Sequence, residues 1–294
     1  GTIWVDGEFF SGKPSFDTIF KETYPKLTPK EQDFLDNEVN TVCEMTDDWA
    51  VFKERDLSKD VWQYLKDKKF FGMIIPESYG GLGFSALGHS AVIQKMASRS
   101  QVLAITTMVP NSLGPAELLL HYGTTAQKDY YLPRLADGRD IPCFALTEPL
   151  AGSDATSIRS SGEVFKDKDG DVKIRLQFEK RYITLGPVAT LLGLAFHLHD
   201  PEHLLGEVED IGITLALIPT DTPGVERLGQ FILKQFGPEL WTVLGYRFAN
   251  SQLGEEWMIL EVGFSSPNGQ TATVKRENVF LRSPAGDRIP LPSQ

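Results

Sequence analysis

The stretch Pro142-Cys143-Phe144-Ala145-Leu146-Thr147-Glu148-Pro149-Leu150-Ala151-Gly152-Ser153-Asp154 gathers the residue types that could hold a small ligand. It reads as a strand running into a proline-stiffened turn and then a loop of small residues, where Ala151, Gly152 and Ser153 allow close backbone approach. Thr147 and Ser153 bring hydroxyls, and consecutive loop amides can cradle an anion. On composition alone an ordinary turn is the favoured reading, and it is the order of the residues that changes this. A second candidate, Gly81-Leu82-Gly83-Phe84-Ser85-Ala86, matches the dinucleotide pattern G-x-G-x-x-A. That chemistry needs an acidic residue about 20 positions on to hold a ribose hydroxyl. Ser85 to Ala116 contain neither Asp nor Glu, so a turn between helices is the better reading. His197, His199 and His203 have metal-like spacing, but no Cys lies nearby and Asp200-Pro201 breaks the strand, which favours exposed strand-end histidines over a metal site. A G-x-S-x-G nucleophile elbow is absent, and Cys43 and Cys143 read as small apolar residues.

The elements that must position these residues change type along the chain. Thr28-Pro29-Lys30-Glu31 is a capping box with Pro at the first helical position, followed by Phe34, Leu35, Val39, Val42, Cys43 and Met45 at helical spacing. Ser58 caps a helix whose stripe is Val61, Trp62, Leu65 and Phe70, and Gly72 is expected to stop it. Ser85 opens a third helix, Pro115 to Tyr122 forms a fourth ended by Gly123, and Thr124 or Thr125 caps a fifth through Leu132. Near Ile141 the period turns toward two. Val172 to Phe178 alternates strictly behind the hairpin turn Asp167-Lys168-Asp169-Gly170, and Leu191 to Leu198 and Ile213 to Ile218 read as strands. Trp257 to Phe264 and Thr271 to Lys275 suggest two more around Asn268-Gly269. Helices followed by strands predict an α+β chain, with an all-α N-terminal domain over residues 1–140 and an antiparallel, barrel-like β domain over 141–294.

At 294 residues the chain can fill two domains of ordinary size. With 29 Lys and Arg against 40 Asp and Glu, its net charge of −11 argues against nucleic acid or a polybasic membrane patch as partner. Two cysteines point to a reducing compartment, and no window reaches the roughly 20 apolar residues of a spanning helix.

The run Phe144 to Asp154 closely resembles the T-E-P-x-A-G-S-D signature of acyl-CoA dehydrogenases. Phe71 to Glu77 with Tyr79-Gly80-Gly81-Leu82-Gly83 resembles that family's helical-domain signature, and Tyr122-Gly123-Thr124 with Tyr131 to Gly138 resembles the passage into its barrel. Phe10 to Pro14 and Leu191 to Gly206 are most similar to the bacterial fatty-acid β-oxidation branch. The resemblance covers about Gly1 to Val225 and then fades, so the chain reads as a fragment without the family's C-terminal four-helix domain.

The resemblance implies FAD as cofactor, fatty acyl-CoA as substrate, an electron-transfer flavoprotein as electron acceptor, and a homo-oligomer in the intact family. It also implies a cytoplasmic setting, with peripheral attachment to the inner membrane as a variant. Phe144, Leu146, Thr147, Gly152 and Ser153 would line the flavin, Thr147 bonding its pyrimidine end and Ser153 lying near the pyrophosphate and the acyl-CoA. Tyr182-Ile183-Thr184 resembles the family's Trp-Ile-Thr segment, which would place the Tyr182 ring beside the flavin and the Thr184 hydroxyl toward N5. Leu150 departs from a position that is usually small or polar, and Phe144 and Tyr182 replace Tyr and Trp. No residue is assigned as the catalytic base. The competing readings are a non-catalytic flavin or acyl-CoA-binding module or assembly subunit, and a flavoprotein oxidase or monooxygenase on the same fold.

Overall fold

A computed structural model describes residues 4–17, 25–112, 114–222, 232–236, 241–245, 261–265, 275, 280–282 and 288–290. The chain divides into two units, Gly1–Pro223 and Gly224–Gln294. In the first unit, helices α1 (Trp4–Phe10), α2 (Pro29–Phe34), α3 (Asn40–Met45), α4 (Asp48–Glu54), α5 (Lys59–Asp67), α6 (Ala86–Ala97), α7 (Gln101–Ser112), α8 (Pro115–Tyr122) and α9 (Thr125–Ala136) precede five strands. A π-helical turn, Leu35–Val39, joins α2 to α3.

Local chemistry starts these helices where the sequence places them. Thr28 and Thr124 each complete a capping box, Ser58 accepts from the Val61 amide, and Ser85 accepts from the Gly88 amide. Helix α5 ends at Asp67 rather than running to Gly72. Lys69 turns left-handed at φ 61°, and Phe70–Gly72 form a separate 3-10 turn that buries both phenylalanines. No sequence signal announces α7, because Val102, Ile105, Thr106, Thr107 and Val109 are weak helix formers and Pro110 sits inside it. Burial supplies what propensity lacks. Leu103, Ala104 and Val109 lie in the core, and Asn111 donates to the Phe70 and Thr107 carbonyls (2.7 and 2.9 Å) while accepting from the Ile74 amide (3.2 Å).

The glycine-rich segment after Ile75 is the structural turn the sequence suggests. The amides of Gly81, Leu82, Gly83 and Phe84 donate to the carbonyls of Pro76, Gly72, Ile75 and Met73, so none is free for a phosphate. A Cβ on Gly81 would lie 2.0 Å from the Ile75 carbonyl oxygen, which excludes every other residue there.

Strands β1 (Pro142–Ala145), β2 (Ser161–Lys166), β3 (Val172–Gln177), β4 (Leu191–His199) and β5 (Asp210–Pro219) form one open sheet. The β2–β3 hairpin is antiparallel and turns through Gly170 at φ +86°, as its sequence requires. The expected antiparallel barrel is corrected in two respects. β1 and β2 both run parallel to β4, through Pro142 to Leu191 and Ser161 to His197, and the five strands do not close. β4 reads as a nearly unbroken apolar run because it is the central strand, buried on both faces between β5 and the β1 and β2 segments. β3 alternates strictly yet leaves Val172 and Ile174 exposed, since it lies at the end of the strand order with no neighbour beyond it among the described residues.

In the second unit, β6 (Ile232–Phe236), β7 (Trp241–Gly245) and β8 (Glu261–Ser265) form an antiparallel sheet, and β9 (Phe280–Arg282) pairs with β10 (Arg288–Pro290). The expected Asn268-Gly269 turn, the strand from Thr271 up to Val274 and the first half of the Trp257 to Phe264 strand lie outside the described residues. No described helix is long and apolar enough to cross a membrane.

Candidate functional site

The loop that follows β1 is held from beneath by a buried carboxylate. Glu148 and Lys180 pair at 2.8 Å with side chains only 6% and 5% exposed. The same carboxylate accepts from the amides of Arg159 (2.6 Å) and Ser160 (3.0 Å) and from the Ser160 hydroxyl. Burial alone would raise the Glu148 pKa. The hydrogen bonds from Lys180, Ser160 and the Arg159 amide outweigh it and bring the pKa down to about 2. Glu148 is therefore ionised at neutral pH with donors on both oxygens, which makes it a poor proton acceptor and a good anchor.

Two further bonds tie this loop to the segment after β3. Lys180 donates to the Leu146 carbonyl (3.1 Å), and the Arg181 amide donates to the Thr147 carbonyl (2.9 Å). Glu148 and Ala151 close the turn through an isolated bridge, the Glu148 amide reaching the Ala151 carbonyl at 2.9 Å. Beyond Arg181 the backbone is forced left-handed at Tyr182 (φ 57°) and Leu185 (φ 64°), conformations that non-glycine residues adopt only when surroundings impose them.

This arrangement joins the two expected halves of the site, because Thr147 and Arg181 share a hydrogen bond and Tyr182 to Thr184 continue from there. The hydroxyls of Thr147, Ser153 and Thr184 make no hydrogen bond among the described residues. Gly152 and Ser153 are exposed, and a Cβ on Gly152 would meet nothing within 4 Å. Tyr182 is 78% exposed, with the Arg181 guanidinium 4.5 Å from its ring centroid. Neutral hydroxyl donors, an open glycine and an accessible aromatic ring, carried on two loops tied together at Thr147, are residue types that suit a planar, polar-edged ligand with an anionic tail, and flavin is of that class.

Other expected lining residues sit elsewhere. Leu146 packs against Ala151, Ile158 and Ala195, and Ile183 packs against the core of Ala145, Leu194 and Phe196, so neither turns its side chain wholly toward solvent. Phe144 faces a cavity of about 440 Å³ beside α8, lined also by Pro115, Leu118, Leu119, Tyr122 and Leu217. Leu150, which departs from the family pattern, is 72% exposed at the turn. Sequence reasoning assigned no role to Glu148 or Lys180. The available signal was a charged residue within an otherwise small or apolar stretch, which does not name its partner.

Residues 26–139 match the family model described as "Acyl-CoA dehydrogenase, N-terminal domain", and residues 143–250 match the one described as "Acyl-CoA dehydrogenase, middle domain". The human very long-chain specific acyl-CoA dehydrogenase is 34% identical over 157 residues, 52% of this chain and 24% of that protein. A 3-(aryl)acrylate reductase from Clostridium sporogenes is 31% identical over 171 residues, 58% of this chain and 42% of the relative. Butyryl-CoA dehydrogenase from Megasphaera elsdenii superposes with a TM-score of 0.56 at 25% identity, covering 74% of this chain and 54% of that one. The chain thus spans well under two thirds of the relatives it matches. The helical unit, the loop after β1 and both family matches agree: this chain belongs to the acyl-CoA dehydrogenase family.

Proposed function

We propose that this chain supplies the flavin face of an FAD-dependent acyl-CoA dehydrogenase that desaturates fatty acyl-CoA thioesters between the α and β carbons in β-oxidation. The observation that carries this reading is the set of hydroxyls on Thr147, Ser153 and Thr184 that have no partner among the described residues, on two loops joined by the Arg181 to Thr147 bond. When bound, FAD supplies the acceptor for the β-hydride. Thr147 would hold the pyrimidine edge, Thr184 the N5 edge, and Ser153 the pyrophosphate side and the thioester. Tyr182 offers an open ring for stacking and Gly152 leaves open space beside Ser153, while Leu146 and Ile183, packed inward, would contribute backbone alone, and Phe144 would act only from the cavity beside α8. A fixed donor aimed at the atom that gains charge stabilises the reduced state without reorganisation.

In this reading residues 1–140 form the helical domain and 141–294 the β domain, the protein works in the cytoplasm as a homo-oligomer, and an electron-transfer flavoprotein takes the electrons. Glu148 is not the base that removes the α-proton, because its carboxylate is fully engaged. The test is a titration of the chain with FAD, read by flavin fluorescence, followed by anaerobic addition of a medium- or long-chain acyl-CoA. Binding with bleaching of the visible flavin band supports a dehydrogenase, and binding without bleaching makes the chain a non-catalytic flavin module. Bleaching that reverses in oxygen with peroxide release makes it an oxidase. No binding refutes the reading.

A further inference from the structure

The two loops that carry the candidate flavin contacts share no regular secondary structure. Thr147 to Ser153 contains one isolated bridge, and Tyr182 to Leu185 contains two left-handed non-glycine residues. Something outside each loop must hold it. Among the described residues the bonds that run between them are few, and all pass through two neighbouring residues, Lys180 and Arg181. Lys180 spans the Leu146 carbonyl and the Glu148 carboxylate, and Glu148 in turn gathers the Arg159 and Ser160 amides, which lead into β2. Ser160 closes the circuit, since its carbonyl accepts from His197 on the central strand β4 at 2.8 Å. Both loops are thereby referred to the most buried strand of the sheet through one carboxylate.

We propose that the buried Glu148–Lys180 ion pair is a positioning device that sets the spacing between Thr147 and the Tyr182-Ile183-Thr184 segment, and so the seat of the isoalloxazine ring, while neither charge takes part in chemistry. The assignment of the ring to this seat rests on the function proposed above; the coupling of the loops does not. Removing one charge leaves the other buried and unpaired, whereas removing both leaves a neutral, packed interior. The single and double variants therefore separate stability from position.

The experiment compares Lys180→Met with the double variant Glu148→Gln, Lys180→Met in the full chain, by hydrogen exchange, thermal melting and FAD titration. In Lys180→Met, exchange rises together in residues 147–153 and 181–185, the α2 to α9 helices keep their protection, and the Kd for FAD rises roughly tenfold as hydrogen-bonding groups leave their seat. In the double variant the melting temperature returns close to that of the original chain, while FAD affinity and the flavin absorption envelope stay shifted. The proposal is overturned if only one of the two segments loosens, or if FAD affinity recovers in step with stability, which is what a merely structural pair would give. If the unaltered chain binds no FAD, the flavin assignment fails, and the exchange data alone then uphold or overturn the coupling of the loops.

Discussion

Replacing Glu31 with Ala removes one carboxylate from the starts of two helices at once. Its Oε2 accepts from the Thr28 amide (2.7 Å) at the cap of α2, and its Oε1 accepts from the Ser85 amide (2.7 Å) and hydroxyl (2.6 Å) at the cap of α6. The side chain is buried against Gly88, where a Cβ would lie 2.4 Å from Oε1. A hydrogen bond to a charged group contributes about 1.5–3 kcal/mol, but Thr28 and Ser85 are both exposed and their freed donors can turn to water. A net loss of about 2–3 kcal/mol follows, some of it from the space left beside Gly88. Burial pushes the Glu31 pKa up, yet the bonds from Ser85 and Thr28 prevail and lower it from 4.5 to about 2. A carboxylate depressed in the folded state stabilises fully above its unfolded pKa and loses that contribution as pH falls toward the folded value. The gap between the original chain and Glu31→Ala in urea unfolding is therefore largest near pH 7 and narrows between pH 4.5 and about 2. A gap below about 1 kcal/mol at pH 7, or one that widens on acidification, would refute the double-cap argument.

Gly81→Ala drives a Cβ into the Ile75 carbonyl and should cost about 3 kcal/mol or more, whereas Gly152→Ala enters open space and should change unfolding by less than about 0.5 kcal/mol; a thermal melt of each checks the contrast. Asn111→Ala leaves the Phe70 carbonyl and Ile74 amide unpaired in the core and should destabilise by roughly 2–4 kcal/mol in chemical denaturation, while an unchanged midpoint would show that water replaces the amide. Thr184→Val deletes an exposed hydroxyl with no internal partner among the described residues, so it should leave melting unchanged and weaken FAD binding roughly 2- to 10-fold by fluorescence titration; a matching drop in melting temperature would mean the hydroxyl serves the fold instead.

How far the sequence reaches depends on the range of the interaction. Thr28, Ser58, Ser85 and Thr124 cap their helices through bonds three residues away, and Gly170 turns its hairpin through its own φ, so each is legible without knowing the rest of the chain. The motif from Phe144 to Asp154 is likewise contiguous, and its order of residues carried the family. Helix α7 escaped because its stability comes from Asn111 reaching Phe70, 41 residues back, and from burial that propensity does not record. The parallel pairing of β1 with β4 escaped because alternation states which face a strand buries and is silent on which strand it meets or in what direction. Glu148 and Lys180 stand 32 residues apart, and either alone would read as a solvated surface charge. Only the folded sheet brings them to 2.8 Å and removes water from both, and that balance of desolvation against pairing exists only in the tertiary structure.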